Sequence, residues 1–190
     1  MFKAELRKEY LKRRSELLPE FADRSSRKIA DRFFATFELR RIRTVHIFVS
    51  IPKFNEVDTS LIIGRLWRDH PEIRTVAPKM RSGTGELEHI AFSSRTLMVE
   101  NSWGISEPSI GDQVEPSDLD LVVVPLLCFD RSGYRTGYGK GLYDRFLAKC
   151  RPDCLKIGVN QFGPIDRIDD VAEHDIRLDA CLTPEETYRF

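Results

Sequence analysis

Apolar positions along the chain recur with two different periods. Residues 2 to about 16 hold strong helix formers and no glycine, and Leu6, Tyr10, Leu11 and Leu17 mark an apolar stripe on an otherwise basic helix. Leu18-Pro19-Glu20 breaks that helix and starts another, because proline suits a first helical turn. Ile29, Phe33, Phe34 and Phe37 carry the second helix to about Leu39. Thr44 to Ser50 (TVHIFVS) is β-branched and apolar, which predicts a buried strand. Asp58-Thr59-Ser60 offers N-cap side chains to a third helix carrying Leu61, Ile62, Leu66 and Trp67. Ile73 to Ala77 predicts a short strand closed by Pro78. Glu86 to Phe92 predicts another, after the turn Ser82-Gly83-Thr84-Gly85. Residues 93 to 117, rich in Ser, Pro, Gly and acid, read mostly as loop.

Asp118 to Pro125 (DLDLVVVP) predicts a strand, and the continuous apolar run within it is the pattern of one covered on both faces. A loop with four glycines follows, then a helix over Leu142 to Lys149, a strand over Leu155 to Val159, and a last strand near Leu178 to Leu182. Helices alternating with short apolar strands predict an α/β fold. The expectation is a single three-layer domain over residues 1–190, with a mostly parallel central sheet flanked by helices and an N-terminal helical segment.

Composition narrows the function. With 41% hydrophobic residues the 190-residue chain has material for a core. Lysine plus arginine equals aspartate plus glutamate at 30 each, which argues against duplex binding and for a small anionic ligand held by a local basic cluster. The charged stretch Met1 to Arg14 lacks an apolar signal region, and the run Leu121 to Phe129, broken by Pro125, is too short to span a membrane. A cytoplasmic protein without nucleic-acid or membrane partners is expected. The four cysteines form no CxxC pair and read as ordinary reduced thiols.

Candidate chemistry concentrates between Phe129 and Asp144. Glycines at 137, 139 and 141 let backbone N–H groups approach an anion, the following helix presents its N-terminus, and Arg135 and Lys140 add positive charge. The segment is neither a P-loop, since Tyr134 and Gly141 stand at required Gly and Ser/Thr positions, nor a dinucleotide fingerprint, since Leu142 takes the last glycine position. Phosphate binding and a ligand-free tight turn both remain open. Asp144 is a magnesium ligand or an ordinary first-turn acid.

The block LDLVVVPLLCFDRSGYRTGYGKGLYDRFL, with SIPKFNEVDT and WGISEP upstream, EHDIRLDACLT downstream, and Lys3 and Arg7 near the N-terminus, resembles the 5-formyltetrahydrofolate cyclo-ligase family in family order. The resemblance implies conversion of 5-formyltetrahydrofolate and ATP to 5,10-methenyltetrahydrofolate, ADP and phosphate with Mg2+. It implies small-molecule partners, ATP and 5-formyltetrahydrofolate; a monomer is expected, and the sequence leaves a dimer open. Within it, Lys3, Arg7 and the segment Arg135, Thr136, Gly137, Tyr138, Gly139, Lys140, Gly141, Leu142 and Tyr143 would bind ATP. Val49, Glu56 and Tyr138 to Leu142 would contact the folate. Lys140, Arg135 and Tyr143 would carry catalysis, and Asp144 and Asp175 would hold the metal. Leu142 stands where the family commonly has tyrosine, and Pro52, Lys53 and Phe54 lengthen the turn before Glu56. The competing reading is a non-catalytic relative that binds folate or nucleotide. His46 is expected buried and structural, His70 and His89 exposed, Trp103 a plug at the core edge or else a lining of the folate cleft, and Arg40, Arg41 and Arg43 a solvated helix end.

Overall fold

A computed structural model describes residues 1–81, 83–101 and 104–190. Trp103 therefore lies outside the described residues, as does Ser82 of the predicted turn. Helix α1 (Lys3–Ser15) starts where the Glu5 carboxylate accepts the Phe2 N–H at 3.1 Å, and Lys12, Arg13 and Arg14 complement its C-terminal dipole end. Helix α2 (Pro19–Thr36) begins on the predicted proline. It stops short of Leu39 because Phe37 turns extended and packs its ring on Phe33, 5.6 Å away. Arg40, Arg41 and Arg43 are exposed, as expected.

Strand β1 (Thr44–Ile47) is shorter than the apolar run. Beyond it the Phe48 carbonyl accepts the Thr59 hydroxyl at 2.6 Å, so Phe48 to Ser50 leave the ladder and reach towards helix α3 (Ser60–Asp69). That helix is capped at the Ser60 N–H by Asp58, at 3.0 Å. Strand β2 (Arg74–Met80) runs through Pro78 rather than ending before it. Its pairing with β1 stops at Val76, so the missing proline N–H breaks no bond on that side. Strand β3 (Leu87–Phe92) pairs back on β2. The stretch expected as loop contains a small hairpin, β4 (Met98–Glu100) with β5 (Ser106–Pro108).

Strand β6 (Leu121–Pro125) leads into a second hairpin, β7 (Cys128–Phe129) with β8 (Arg135–Thr136), which organises the glycine loop from behind. Helix α4 (Leu142–Leu147) has six residues, shorter than predicted. Strands β9 (Leu155–Val159), β10 (Ala180–Leu182) and β11 (Thr187–Arg189) complete the chain. The last is missed by pattern because three partly exposed residues leave too short a run to read.

The main sheet has the order β11-β10-β9-β6-β1-β2-β3, with the five strands from β10 to β2 parallel and both edges antiparallel. The mostly parallel α/β architecture is as expected. Alternation along the strands splits the core. Val45, Ile47, Leu121, Val123, Ile157 and Val159 face α2 and α3. Val76, Val122, Val124 and Cys181 face α4 through Phe146 and Leu147. A third cluster packs Leu6 and Tyr10 of α1 on Leu127, Cys128 and Ile168. Among the described residues no helix is long and apolar enough to cross a membrane.

Candidate active site

The parallel strands β1, β2 and β6 end together, and a cavity of about 880 Å³ opens there, walled by Val49 after β1, Met80 of β2 and Pro125 of β6. That volume lies within the range of small-ligand sites. One half of the wall is polar and the other apolar, and different elements build each.

The polar half depends on α1. Burial of Leu6 and Tyr10 fixes the face of α1 that carries Lys3, Arg7 and Arg14. Lys3 Nζ donates to Asp175 Oδ2, and Arg7 Nε donates to the Gly137 carbonyl at 3.0 Å. Gly139 has φ +94°, and a Cβ there would come 2.9 Å from the Arg7 guanidinium carbon. A side chain at 139 would push the Arg7 guanidinium aside and strain the left-handed backbone, so glycine suits this position. Gly141, at φ +61°, turns the chain into α4. The N–H groups of Tyr138, Gly139 and Gly141 donate to no group among the described residues, so the loop keeps its anion-binding capacity.

Arg135 lies behind this loop with its side chain 5% exposed, donating to Asp144 Oδ1 at 2.8 Å and to the Ile176 carbonyl at 2.5 Å. Asp144 Oδ1 also accepts the Ile176 N–H at 3.1 Å. Burial pulls the Arg135 pKa down from its ordinary value, with Asp144 opposing. Asp175 Oδ2 accepts the Ala172 N–H at 2.6 Å in addition to Lys3. Burial works to raise the Asp175 pKa, but the bonds from Lys3 and Ala172 outweigh it and hold the carboxyl below its usual range.

Asp144 and Asp175 both line the cavity, and each keeps one carboxylate oxygen that takes no hydrogen bond among the described residues. Hard oxygens in that number fit a magnesium ion, which keeps waters and takes substrate phosphates as its other ligands. Among the described residues no group of three or more His, Cys, Asp or Glu side chains is arranged to hold a metal by itself. Tyr143 also lines the cavity, and its hydroxyl is buried without a hydrogen-bond partner. Burial raises its pKa, so it is a neutral phenol with a donor to spare.

The apolar half is made by Val49, Ile51, Phe54, Pro78, Met80 and Leu87. At its floor Glu56, 9% exposed, takes the Ile51 N–H on Oε2 at 2.8 Å and the Tyr138 hydroxyl on Oε1 at 2.6 Å. Arg14 donates to the Tyr138 oxygen from below.

Thus Lys3, Arg7, Val49, Glu56, Arg135, Asp144, Asp175 and the segment Gly137 to Tyr143 converge on one cavity. Thr136 does not: it is 1% exposed within β8 and absent from the wall, because its neighbour Arg135 takes the cavity-facing side of the strand. Met80 and Leu87 are further wall residues that pattern reading missed, as is Arg14, which stands behind the wall against Tyr138 and Glu56. For Arg14 a signal existed, since Lys3, Arg7, Tyr10 and Arg14 share one helical face by spacing. The expected apolar stripe instead included Leu11, which is 37% exposed, while Arg14 is 4% exposed.

His46 is buried as expected. His89, expected exposed, is 5% exposed, because β3 lies inside the hairpin-covered edge and the ring stacks on Phe146 at 4.0 Å. The His89 Nδ1 and His46 Nε2 atoms are 3.2 Å apart. Burial pulls both pKa values down, that of His89 to about 4, so the pair is neutral beneath α4 at neutral pH. His70 is half-buried against Phe34.

Comparison with known proteins converges on one family. Residues 1–184 match the 5-formyltetrahydrofolate cyclo-ligase family. The 5-formyltetrahydrofolate cyclo-ligase of Escherichia coli K12 is 30% identical over 186 residues, covering 94% of this chain and 98% of that protein. The mouse 5-formyltetrahydrofolate cyclo-ligase is 28% identical over 189 residues, covering 93% of this chain and 91% of its own. Among solved structures, the 5,10-methenyltetrahydrofolate synthetase of Aquifex aeolicus superposes with a TM-score of 0.84 at 32% identity, over 100% of this chain and 93% of that one. A 5,10-methenyltetrahydrofolate synthetase from Mycoplasma pneumoniae superposes at 0.77 with 27% identity, over 97% of this chain and 99% of that one. With the glycine loop, the paired aspartates and the carboxylate-floored apolar wall in one cavity, and with matches running the length of the chain, this protein belongs to the 5-formyltetrahydrofolate cyclo-ligase family.

Proposed function

We propose that the protein converts 5-formyltetrahydrofolate to 5,10-methenyltetrahydrofolate at the expense of ATP, releasing ADP and phosphate, with magnesium accompanying the nucleotide. The observation that carries this reading is one cavity with two chemistries side by side: a cationic, glycine-lined half and an apolar half floored by Glu56. A triphosphate suits the first and a pterin ring the second.

In this reading the formyl oxygen attacks the γ-phosphorus and the bond to ADP breaks. N10 then attacks the activated formyl carbon and loses its proton. The carbon–oxygen bond to phosphate breaks, closing the ring. No protein nucleophile is needed, so the chain acts by positioning and by balancing charge. Lys3, Arg7 and Lys140 set positive charge around the phosphates, and the loop N–H groups hold the phosphate oxygens. Asp144 and Asp175 would hold magnesium, which neutralises charge building on the transferring phosphoryl group. Arg135 works through Asp144, fixing its carboxylate, rather than by reaching the phosphates itself. The unpaired Tyr143 hydroxyl offers a hydrogen bond to the reacting oxygen. Glu56 accepts pterin amino and ring N–H groups. A single-domain, monomeric enzyme acting on small molecules is part of the same reading.

Appearance of the methenyl-folate chromophore from 5-formyltetrahydrofolate, dependent on both ATP and magnesium, is the expected result with purified protein. Absence of any turnover under those conditions would sink the proposal.

A further inference from the structure

The Glu56 carboxylate has both oxygens engaged before any substrate arrives. Its bond from the Ile51 N–H is local and sets the direction of the carboxylate. Its bond from Tyr138 joins positions 82 residues apart and ties the glycine loop to the turn before α3. The guanidinium of Arg14 lies 3.9 Å from the same Oε1 atom, with both side chains 5% exposed. A carboxylate oxygen has room for about two donors, and here the Tyr138 hydroxyl donates to Oε1 while the Arg14 guanidinium stands close by. Arg14 Nε is itself buried without a hydrogen-bond partner, so the array as it stands leaves one donor unsatisfied.

Tyr138 differs from the rest of this array. It is 41% exposed overall, and it stands between Gly137 and Gly139, whose backbone freedom lets the peptide rotate. Burial of its hydroxyl, and then the Glu56 charge, raise its pKa, so it is a donor at any physiological pH. A pterin N–H is also a donor. Exchanging one for the other would never leave the buried carboxylate bare, which would be the costly event.

We propose that the Tyr138 hydroxyl is a placeholder for a substrate N–H at Glu56 Oε1, and that folate binding displaces it and frees the glycine loop to close on the nucleotide. The inference rests on the reading of Glu56 as the pterin acceptor. Arg14 is then a positioning residue: it holds Tyr138 in the resting state and moves onto Glu56 once the phenol has left. Because the loop that Tyr138 releases is the one proposed to hold phosphate, the two ligands are coupled, and the coupling is reciprocal.

Calorimetry with 5-formyltetrahydrofolate alone, without nucleotide, compares wild type with Tyr138→Phe. The phenylalanine keeps the ring and removes the competing donor, so folate binding is expected about tenfold tighter in the variant. A second titration uses a non-hydrolysable ATP analogue with and without folate. Wild type should show a severalfold change in analogue affinity, and the variant a factor close to one; a merely structural role for the hydroxyl would not move that factor. Equal or weaker folate binding by the variant, or unchanged coupling, overturns the placeholder. Absence of folate binding by both proteins refutes the Glu56 reading instead, and the placeholder with it.

Discussion

Across the cavity, the glycine-loop half holds its charges in pairs, Lys3 with Asp175 and Arg135 with Asp144, while the half around Glu56 is walled by Val49, Ile51, Met80 and Leu87 with that carboxylate at its floor. The pairs in the first half come from three parts of the chain: helix α1, the glycine segment and the stretch before β10. Part of the charge there is already paired inside the protein before a ligand binds, and an incoming triphosphate and cation must rearrange those pairs. In the apolar half the walls need no such exchange, since a ring gains there by burying surface, and only at the Glu56 floor is one donor exchanged for another. The difference teaches where each kind of mutation should act: on rate and stability in the first half, on substrate affinity in the second.

The strongest way to break this contrast is Asp144→Asn. It keeps a hydrogen-bond acceptor for Arg135 but removes the charge that would hold magnesium, so turnover should fall by about 100-fold or more while the fold survives. Wild-type rates in a chromophore assay, with circular dichroism confirming the fold, would remove the metal role from this residue. Arg135→Met tests the structural side of the same pair. It leaves Asp144 without its buried partner and the Ile176 carbonyl without a donor, and stability should fall by about 3 kcal/mol. An unchanged denaturant midpoint would mean that the pair is not a structural element.

The support beneath the polar half can be tested by pH. His89 titrates near 4 in the folded protein and near 6.5 when unfolded, so below about pH 6.5 the unfolded chain binds the extra proton. Stability is complete above that pH and declines as pH falls towards 4, by about 3 kcal/mol from this group, with His46 shifted in the same direction. Denaturation midpoints at pH 7 and pH 5 check the sign, and His89→Leu should make the dependence shallower. The smallest effect belongs to the apolar wall. Met80→Ala should raise the KM for folate by about tenfold, through about 1.4 kcal/mol of lost apolar contact, with kcat and the KM for ATP little changed. A matching rise in the KM for ATP would show that the two halves are not separable in this way.

Legibility in the sequence followed the same divide. The glycine segment could be read as a phosphate loop because strand, glycines, cations and helix start lie within a few residues of one another. The apolar wall could not, because Val49, Met80 and Leu87 come from different strands and each looks like ordinary core in its own window. His89 was misplaced for a related reason: partial alternation in a short edge strand does not reveal that Phe146 covers it. Arg14 shows the limit most clearly. Its helical spacing from Lys3 and Arg7 was present in the sequence, but a lysine–arginine run is ordinarily solvated, and only the packing of α1 on Leu127 and Cys128 turns this arginine inward.

By itself, the sequence determined what depends on neighbours along the chain: the alternation of helices with apolar strands, the glycine loop, and an order of motifs that matches one family from end to end. Tertiary structure decided what depends on contacts across it. Lys3 meets Asp175 over 172 residues, Tyr138 meets Glu56 over 82, and the sheet order lets β1, β2 and β6 end at a common edge. The physical reason is that periodicity and turn chemistry are local properties of a backbone. The pairing of buried charges is a property of whole faces brought together, because only burial makes an unpaired charge expensive enough to select its partner.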